Sequence, residues 1–201
     1  MKGGPIALGI TGASGSAYAL RLLECLLGSA EEVHLMISQA GQIVLKMESD
    51  LDLPAQPGEA EKLLTRHFNA TPGQLRVVGR PQWLAPVASG SNPPRAMVVC
   101  PCTTGSLSAI ACGASNDLLE RAADVVLKER RKLILVVRET PFSEIHLENM
   151  LKLSRMGAVI MPANPGFYHR PSDLQGIVDF MVARILDQLG VGHDLLPRWG
   201  E

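Results

Sequence analysis

Two short stretches of this chain have the residue types and spacing to hold an anion. Thr11-Gly12-Ala13-Ser14-Gly15-Ser16 follows the apolar run "IALGI", and Thr103-Thr104-Gly105-Ser106 follows "AMVVCP" and Cys102. Each reads as a buried strand ending in a small-residue turn that opens a helix. The start of a helix offers unpaired N–H groups and about half a positive charge, which suits a phosphate. One such turn is ordinary, but two at one sheet edge favour a phosphorylated ligand. No Gly-Lys-Ser/Thr follows either turn, and only Gly12 and Gly15 of a dinucleotide fingerprint are present. A mononucleotide such as FMN is therefore the expected ligand.

The charged residues sort by surroundings. Arg121 and Lys128 are seven residues apart, hence on one helix face. Arg138 and Glu139 end a buried strand, where charge is costly unless it meets a partner or a ligand. Arg130, Arg131 and Lys132 read as a solvated helix end. Tyr168, in "NPGFYHRP", reads equally as a packed loop residue or a ligand group. Arg184 interrupts the apolar stretch "VDFMVARIL", so it must snorkel, pair or reach an interface. The cysteines Cys25, Cys100, Cys102 and Cys112 show no zinc spacing and the histidines are scattered, so no metal is expected. Four reduced, mostly buried thiols fit a cytoplasmic protein.

These residues must be positioned by a regular scaffold. The 201 residues suffice for one domain, 1–201, with its own core. A net charge of −1 gives no basic field for nucleic acid. No apolar run reaches the roughly 18 residues of a membrane span, and glycines with Pro5 break any N-terminal signal segment. Six apolar runs read as strands: "PIALGIT", "EVHLMIS", "QLRVVG", "AMVVCP", "KLILVVR" and "AVIMP". Helical patterns separate them. The first should bury Ala17, Leu20, Leu23, Leu26 and Leu27. Asn116 is the expected N-cap of one later helix. Thr140 is that of another, with Pro141 in its first turn and Gly157 at its end. Residues 80–95, with four prolines, are irregular, and Trp83 among them needs a packing surface. Alternating strands and helices predict an α/β, three-layer, Rossmann/flavodoxin-like fold with a mostly parallel sheet. In such sheets ligands bind beyond the carboxyl ends of the strands, where both small-residue turns fall.

The segments "TGASGSAYALRLLECL", the block from Cys100 to Pro171 and the terminal "LPRWG" resemble the UbiX-type flavin prenyltransferases over nearly the whole chain. The resemblance implies a homododecamer with FMN between subunits. It implies metal-independent transfer of a dimethylallyl group from dimethylallyl monophosphate to N5, then C6, of reduced FMN. The prenylated FMN would serve a UbiD-type decarboxylase, with ubiquinone biosynthesis as one setting.

The resemblance also assigns residues. Gly12, Ala13 and Ser14 match the family's first flavin-site turn, and Ser38 the serine after the second strand. Thr103, Thr104, Gly105 and Ser106 match the second turn, where some members carry Lys for Gly105. Arg138 matches the flavin-site arginine. Tyr168 and Arg184 match the residues that bind the prenyl phosphate. Glu48, Arg121, Lys128 and Glu139 match polar groups around the reacting centre, and Trp83 and Trp199 match aromatic positions near the pocket. Two alternatives stand beside this reading: an FMN-dependent cysteine decarboxylase of the same superfamily, and a non-catalytic flavin carrier.

Overall fold

The structure is a computed structural model that describes residues 4–197 and Gly200. Trp199 lies outside the described residues. The elements run β1 (Ile6–Ile10), α1 (Ser16–Gly28), β2 (Val33–Ile37), α2 (Gln39–Glu48), α3 (Pro57–His67), β3 (Leu75–Val77), β4 (Ala96–Cys102), α4 (Thr104–Ala111), α5 (Leu118–Lys128), β5 (Lys132–Val137), α6 (Glu144–Arg155), β6 (Val159–Pro162) and α7 (Leu174–Leu189). A 3-10 turn at Pro86–Ala88 is the only helical piece in the irregular 80–95 stretch.

The six strands form one sheet in the order β3-β2-β1-β4-β5-β6, every pair parallel. That is the Rossmann order. With the three-residue edge strand β3 set aside, the other five follow the flavodoxin order. Both faces of the sheet are covered, which is why its strands are continuous apolar runs. In β1, Ile6, Leu8 and Ile10 face the core under α1 and α7, while Ala7 faces the core under α4, α5 and α6. In β5, Ile134 and Val136 take the first face and Leu133, Leu135 and Val137 the second. A side chain on Gly9 would meet Leu119 Cδ1 at 3.0 Å, so α5 lies tight against β1.

Three sequence expectations shift in register. α1 buries Ser16, Ala19, Leu22, Leu23, Leu26 and Leu27, and leaves Ala17 exposed and Leu20 half-buried. The stripe follows α7, which packs along α1 and takes Leu22 as well as Leu23. α5 is capped by Asp117, whose carboxylate accepts the Glu120 N–H at 3.0 Å; Asn116 instead gives its own N–H to Glu120 Oε2. α6 begins at Glu144 rather than after Thr140. Ser143 and His146 cap each other's backbone amides there, and the Thr140 N–H goes to Glu139 Oε1. Gly157 does follow the helix end, with φ 97°, just past the C-cap Met156.

Cys100 and Cys102 are buried in the two cores, Cys25 is half-buried and Cys112 is exposed; all four are free thiols. Burial pushes the Cys102 thiol up to about 12 and Cys100 higher still, so neither is a nucleophile. Trp83 is 47% exposed, so its own chain supplies only about half of the packing surface it was expected to need.

Candidate functional site

The chain leaves β1 towards β2 on one side and leaves β4 towards β5 on the other, so a crevice opens where β1 and β4 end. A buried threonine fastens this edge. Thr11, 1% exposed, donates through Oγ1 to the Pro101 carbonyl at 2.7 Å and accepts the Thr103 N–H at 2.9 Å. The turn after β1 and the turn after β4 are thereby held as one unit. Sequence reasoning noted Thr11 only as a strand-end residue and assigned it nothing. The available signal was a β-branched hydroxyl ending an otherwise apolar run.

The second turn is built around Thr103. Its hydroxyl caps α4 by accepting the Ser106 N–H at 3.1 Å, and it donates to Ser106 Oγ at 3.0 Å. The Thr104 and Gly105 amides are left in the first helical turn, where no intrahelical acceptor exists. A Cβ on Gly105 would find only Thr103 Oγ1, at 3.9 Å, so Gly105 leaves open space at this turn. Arg138 stands beside them, its N–H bonded to the Cys102 carbonyl at 3.2 Å. Its side chain is exposed and pairs with no carboxylate among the described residues. Glu139 is half-buried; it accepts the Thr140 N–H at 3.0 Å and the Thr104 hydroxyl at 3.5 Å. Ser38 caps α2 by accepting the Gly41 N–H at 3.0 Å.

The first turn differs from the cradle expected of it. Gly15 occupies the N-cap of α1 with φ 118°, a left-handed conformation that favours glycine and supplies no capping side chain. Glu48, at the end of α2, fills the role. Its Oε2 accepts the Gly15 N–H at 3.0 Å and the Ser16 N–H at 2.9 Å. Burial alone would raise the Glu48 carboxyl. The Ser14 hydroxyl and the Gly15 and Ser16 amides outweigh it and hold the group below the ordinary range. The turn therefore holds an ionised carboxylate. α2 can lie this close because Gly12 has no side chain: a Cβ there would sit 2.4 Å from Ala40 Cβ. Ala13 is buried behind the turn and Ser14 is exposed in front of it.

Other predicted site residues stand apart. Lys128 ends α5, four residues before β5 begins, whereas Arg138 follows the end of β5. The six-residue strand between them spans roughly 20 Å. Lys128 pairs with Glu129 under Gly90, a position where any Cβ would strike both side chains. Arg121 donates to the Ala88 carbonyl at 3.1 Å and pairs with Asp124 at 2.8 Å, which fixes the 86–88 turn. Tyr168 and Arg184 line a separate cleft of about 530 Å³, none of whose lining residues belongs to the β1/β4 edge. Arg184 is one turn from Gln188, whose carbonyl accepts from Lys132 at the opposite end of the sheet. In one chain the candidate residues thus form separate sets that do not meet: the β1/β4 edge, the Tyr168–Arg184 cleft, and Arg121 and Lys128 on α5.

The β1/β4 edge fits FMN. Open helix amides beside an unpaired guanidinium suit its phosphate, and a crevice between strand ends suits a flat ring. Among the described residues no three His, Cys, Asp or Glu side chains gather as a metal site.

Comparison with known proteins agrees with this geometry. The flavoprotein family model, described as Flavoprotein, matches residues 1–186. A flavin prenyltransferase UbiX from Pseudomonas aeruginosa is 60% identical over 98% of this chain and 94% of its own length. The crystal structure of AnUbiX (PadA1) in complex with FMN and dimethylallyl pyrophosphate superposes with a TM-score of 0.87 at 37% identity, covering 100% of this chain and 99% of that one. A dodecameric FMN-dependent UbiX-like decarboxylase from Escherichia coli O157:H7 gives 0.86 at 36% identity, covering 98% and 100%. The chain belongs to the flavoprotein family, in its UbiX flavin prenyltransferase branch.

Proposed function

We propose that this protein transfers a dimethylallyl group from dimethylallyl monophosphate to reduced FMN, and that the prenylated flavin is passed to a UbiD-type decarboxylase. The observation that carries this reading is the division of the polar residues into separate sets. The β1/β4 edge is suited to a flavin and the Tyr168–Arg184 cleft to a phosphate, and neither completes a reaction site within one chain. We extend it to a dodecamer in which neighbouring copies join the sets. In support, α6 buries only Leu153 and leaves Leu147 and Leu151, one turn apart on the same side, more than half exposed, an apolar stripe of the kind a partner copy covers.

In this reading Gly12, Ala13, Ser38, the Thr103–Ser106 turn and Arg138 hold the flavin. Reduced FMN supplies the nucleophilic ring positions that take the prenyl group. Tyr168 and Arg184, with Arg121 and Lys128, surround the prenyl phosphate and stabilise the charge that grows on it as the C–O bond breaks. Glu139 exchanges a proton with that phosphate, a role closed to Arg138, which stays protonated near neutral pH. Glu48, ionised and hydrogen-bonded to Ser14, is the candidate proton acceptor on the flavin side. Trp83 serves as a wall that keeps water from the allylic fragment. A cytoplasmic location goes with four free thiols. Ubiquinone biosynthesis is one pathway that such a product would serve.

The test is the mass of the flavin after protein, reduced FMN and dimethylallyl monophosphate are mixed, with the pyrophosphate run in parallel. A gain of one dimethylallyl unit is expected. Loss of carbon dioxide from a peptidyl or phosphopantothenoyl cysteine would favour a cysteine decarboxylase. Unmodified flavin with reversible redox cycling would favour a carrier.

A further inference from the structure

Arg184 does not stand alone in its cleft. Its Nη1 donates to Asp187 Oδ2 at 2.6 Å, one turn along α7, and the other oxygen, Asp187 Oδ1, lies 3.2 Å from His193 Nε2. The ring of His193 is set from its far side, where Nδ1 accepts the Leu195 N–H at 3.4 Å. An Nδ1 acting as acceptor leaves the proton on Nε2, so His193 donates to Asp187. A chain of bonds therefore runs from the Leu195 amide through His193 and Asp187 to the Arg184 guanidinium.

The backbone explains why the chain forms. α7 ends at Gly190 with φ 68°, and the Gly190 and Val191 amides return to the Asp187 and Leu186 carbonyls. Val191 is buried, which pins the returning tail and brings His193 over Asp187. An exposed Arg–Asp pair at i,i+3 fixes little by itself, because both side chains keep their rotamer freedom. Here the carboxylate is gripped on both oxygens, and His193 is only 15% exposed. Arg184 carries five N–H donors, and this bond uses one of them. The others remain for the cleft that Tyr168, Phe180 and Leu196 also line.

We propose that Asp187 and His193 are a positioning pair for Arg184, holding its guanidinium in the orientation that receives the phosphate of the prenyl donor. This rests on the reading of Arg184 as a phosphate ligand. A positioning role acts on donor binding: the Michaelis constant for dimethylallyl monophosphate should move while turnover at saturation does not.

The experiment uses the assembled protein loaded with FMN, with oligomer size and FMN content checked for every variant. Asp187→Ala is expected to raise KM for dimethylallyl monophosphate about tenfold and to leave kcat within about twofold, the scale of one charge-assisted bond. Asp187→Glu should recover most of that loss. His193→Leu should raise KM in the same direction, and His193→Gln, which keeps an N–H donor, should reverse it. In an Arg184→Ala background Asp187→Ala should add nothing. An unchanged or lower KM for Asp187→Ala, or an equal rise with Arg184 already absent, overturns the proposal. Should Asp187→Ala fail to assemble, the His193→Leu and His193→Gln comparison decides alone. If Arg184→Ala itself changes neither KM nor kcat, the phosphate reading of Arg184 fails, and the positioning pair fails with it.

Discussion

The Glu48 carboxylate and the Ser16 amide, 32 residues apart in the chain, meet at 2.9 Å between the end of α2 and the start of α1. This contact changes the meaning of the glycine- and serine-rich turn after β1. Its amides are satisfied by a carboxylate brought from α2, so a second anion placed on them would be repelled unless Glu48 moved. On the proposed reading a phosphate is better received at the α4 turn, where Gly105 leaves open space and Arg138 pairs with no carboxylate among the described residues. The α1 turn keeps a charged acceptor at the edge of the same crevice.

The pH dependence of stability tests that contact. The folded-state pKa of Glu48 is depressed, so its stabilisation is present above the ordinary carboxylate value, about 4.3, and is lost as pH falls through the lower folded value. Glu48→Gln should lower stability at pH 7 by about 0.5 kcal/mol, a figure already discounted for an exposed helix-end charge. That corresponds to a fall of roughly 1–2 °C in Tm. Thermal melts of both proteins should converge as pH falls below that lower folded value. A gap that stays constant with pH would mean that the charge contributes nothing.

Thr11→Val should do more damage. It orphans the buried Pro101 carbonyl and Thr103 N–H together, at a cost of about 1–3 kcal/mol. It also unfastens the two turns, so FMN affinity, measured by calorimetric titration, should fall along with Tm. Thr11→Ser keeps the hydroxyl and should hold affinity near that of the parent. Equal affinity for the valine and serine variants would show that the bond does not shape the site.

Gly12→Ala sets a methyl 2.4 Å from Ala40 Cβ, a distance that side-chain carbons do not adopt, so α2 or the turn must shift. The expected loss is about 1–3 kcal/mol, with weaker FMN binding. Removing the opposing methyl in Gly12→Ala/Ala40→Gly should restore part of both. If the double variant is no better than the single one, the clash lies elsewhere.

The sheet and the flavin edge were legible because local physics determines them. Apolar runs such as "KLILVV" need cover on both faces, and small residues after β1 and β4 mark helix starts at one edge. What was not legible depends on distant parts of the chain meeting. Nothing near Gly15 announces that Glu48 will cap it, and nothing near Thr11 announces the Pro101 carbonyl. Helix register at α1 is set by α7, more than a hundred residues later, so the buried stripe could not be fixed from α1 alone. Within one chain, moreover, Lys128 does not meet Arg138 and Glu139, because β5 carries the chain across the sheet between them.

That separation supplies the strongest test of a shared site. Glu139 lies at the β1/β4 edge and Arg184 in the other cleft, with no lining residue in common. If each reaction site takes its Glu139 from one copy and its Arg184 from another, two inactive variants can rebuild it. Glu139→Gln should slow prenyl transfer by about 10²–10⁴-fold, the usual worth of a general acid–base group. Arg184→Ala should weaken donor binding. Each variant should therefore be poor when assembled alone. Co-expressed in equal amounts and assembled at random, about a quarter of the sites combine an intact Glu139 with an intact Arg184, because each required copy is present half the time. Prenyl transfer should recover to about that fraction of the parent rate at low donor concentration. Mixing the two variants after separate assembly, without subunit exchange, should give no recovery. If co-expression also gives none while mixed oligomers are confirmed by mass, both residues serve one site within one chain, and the division of labour between copies is wrong.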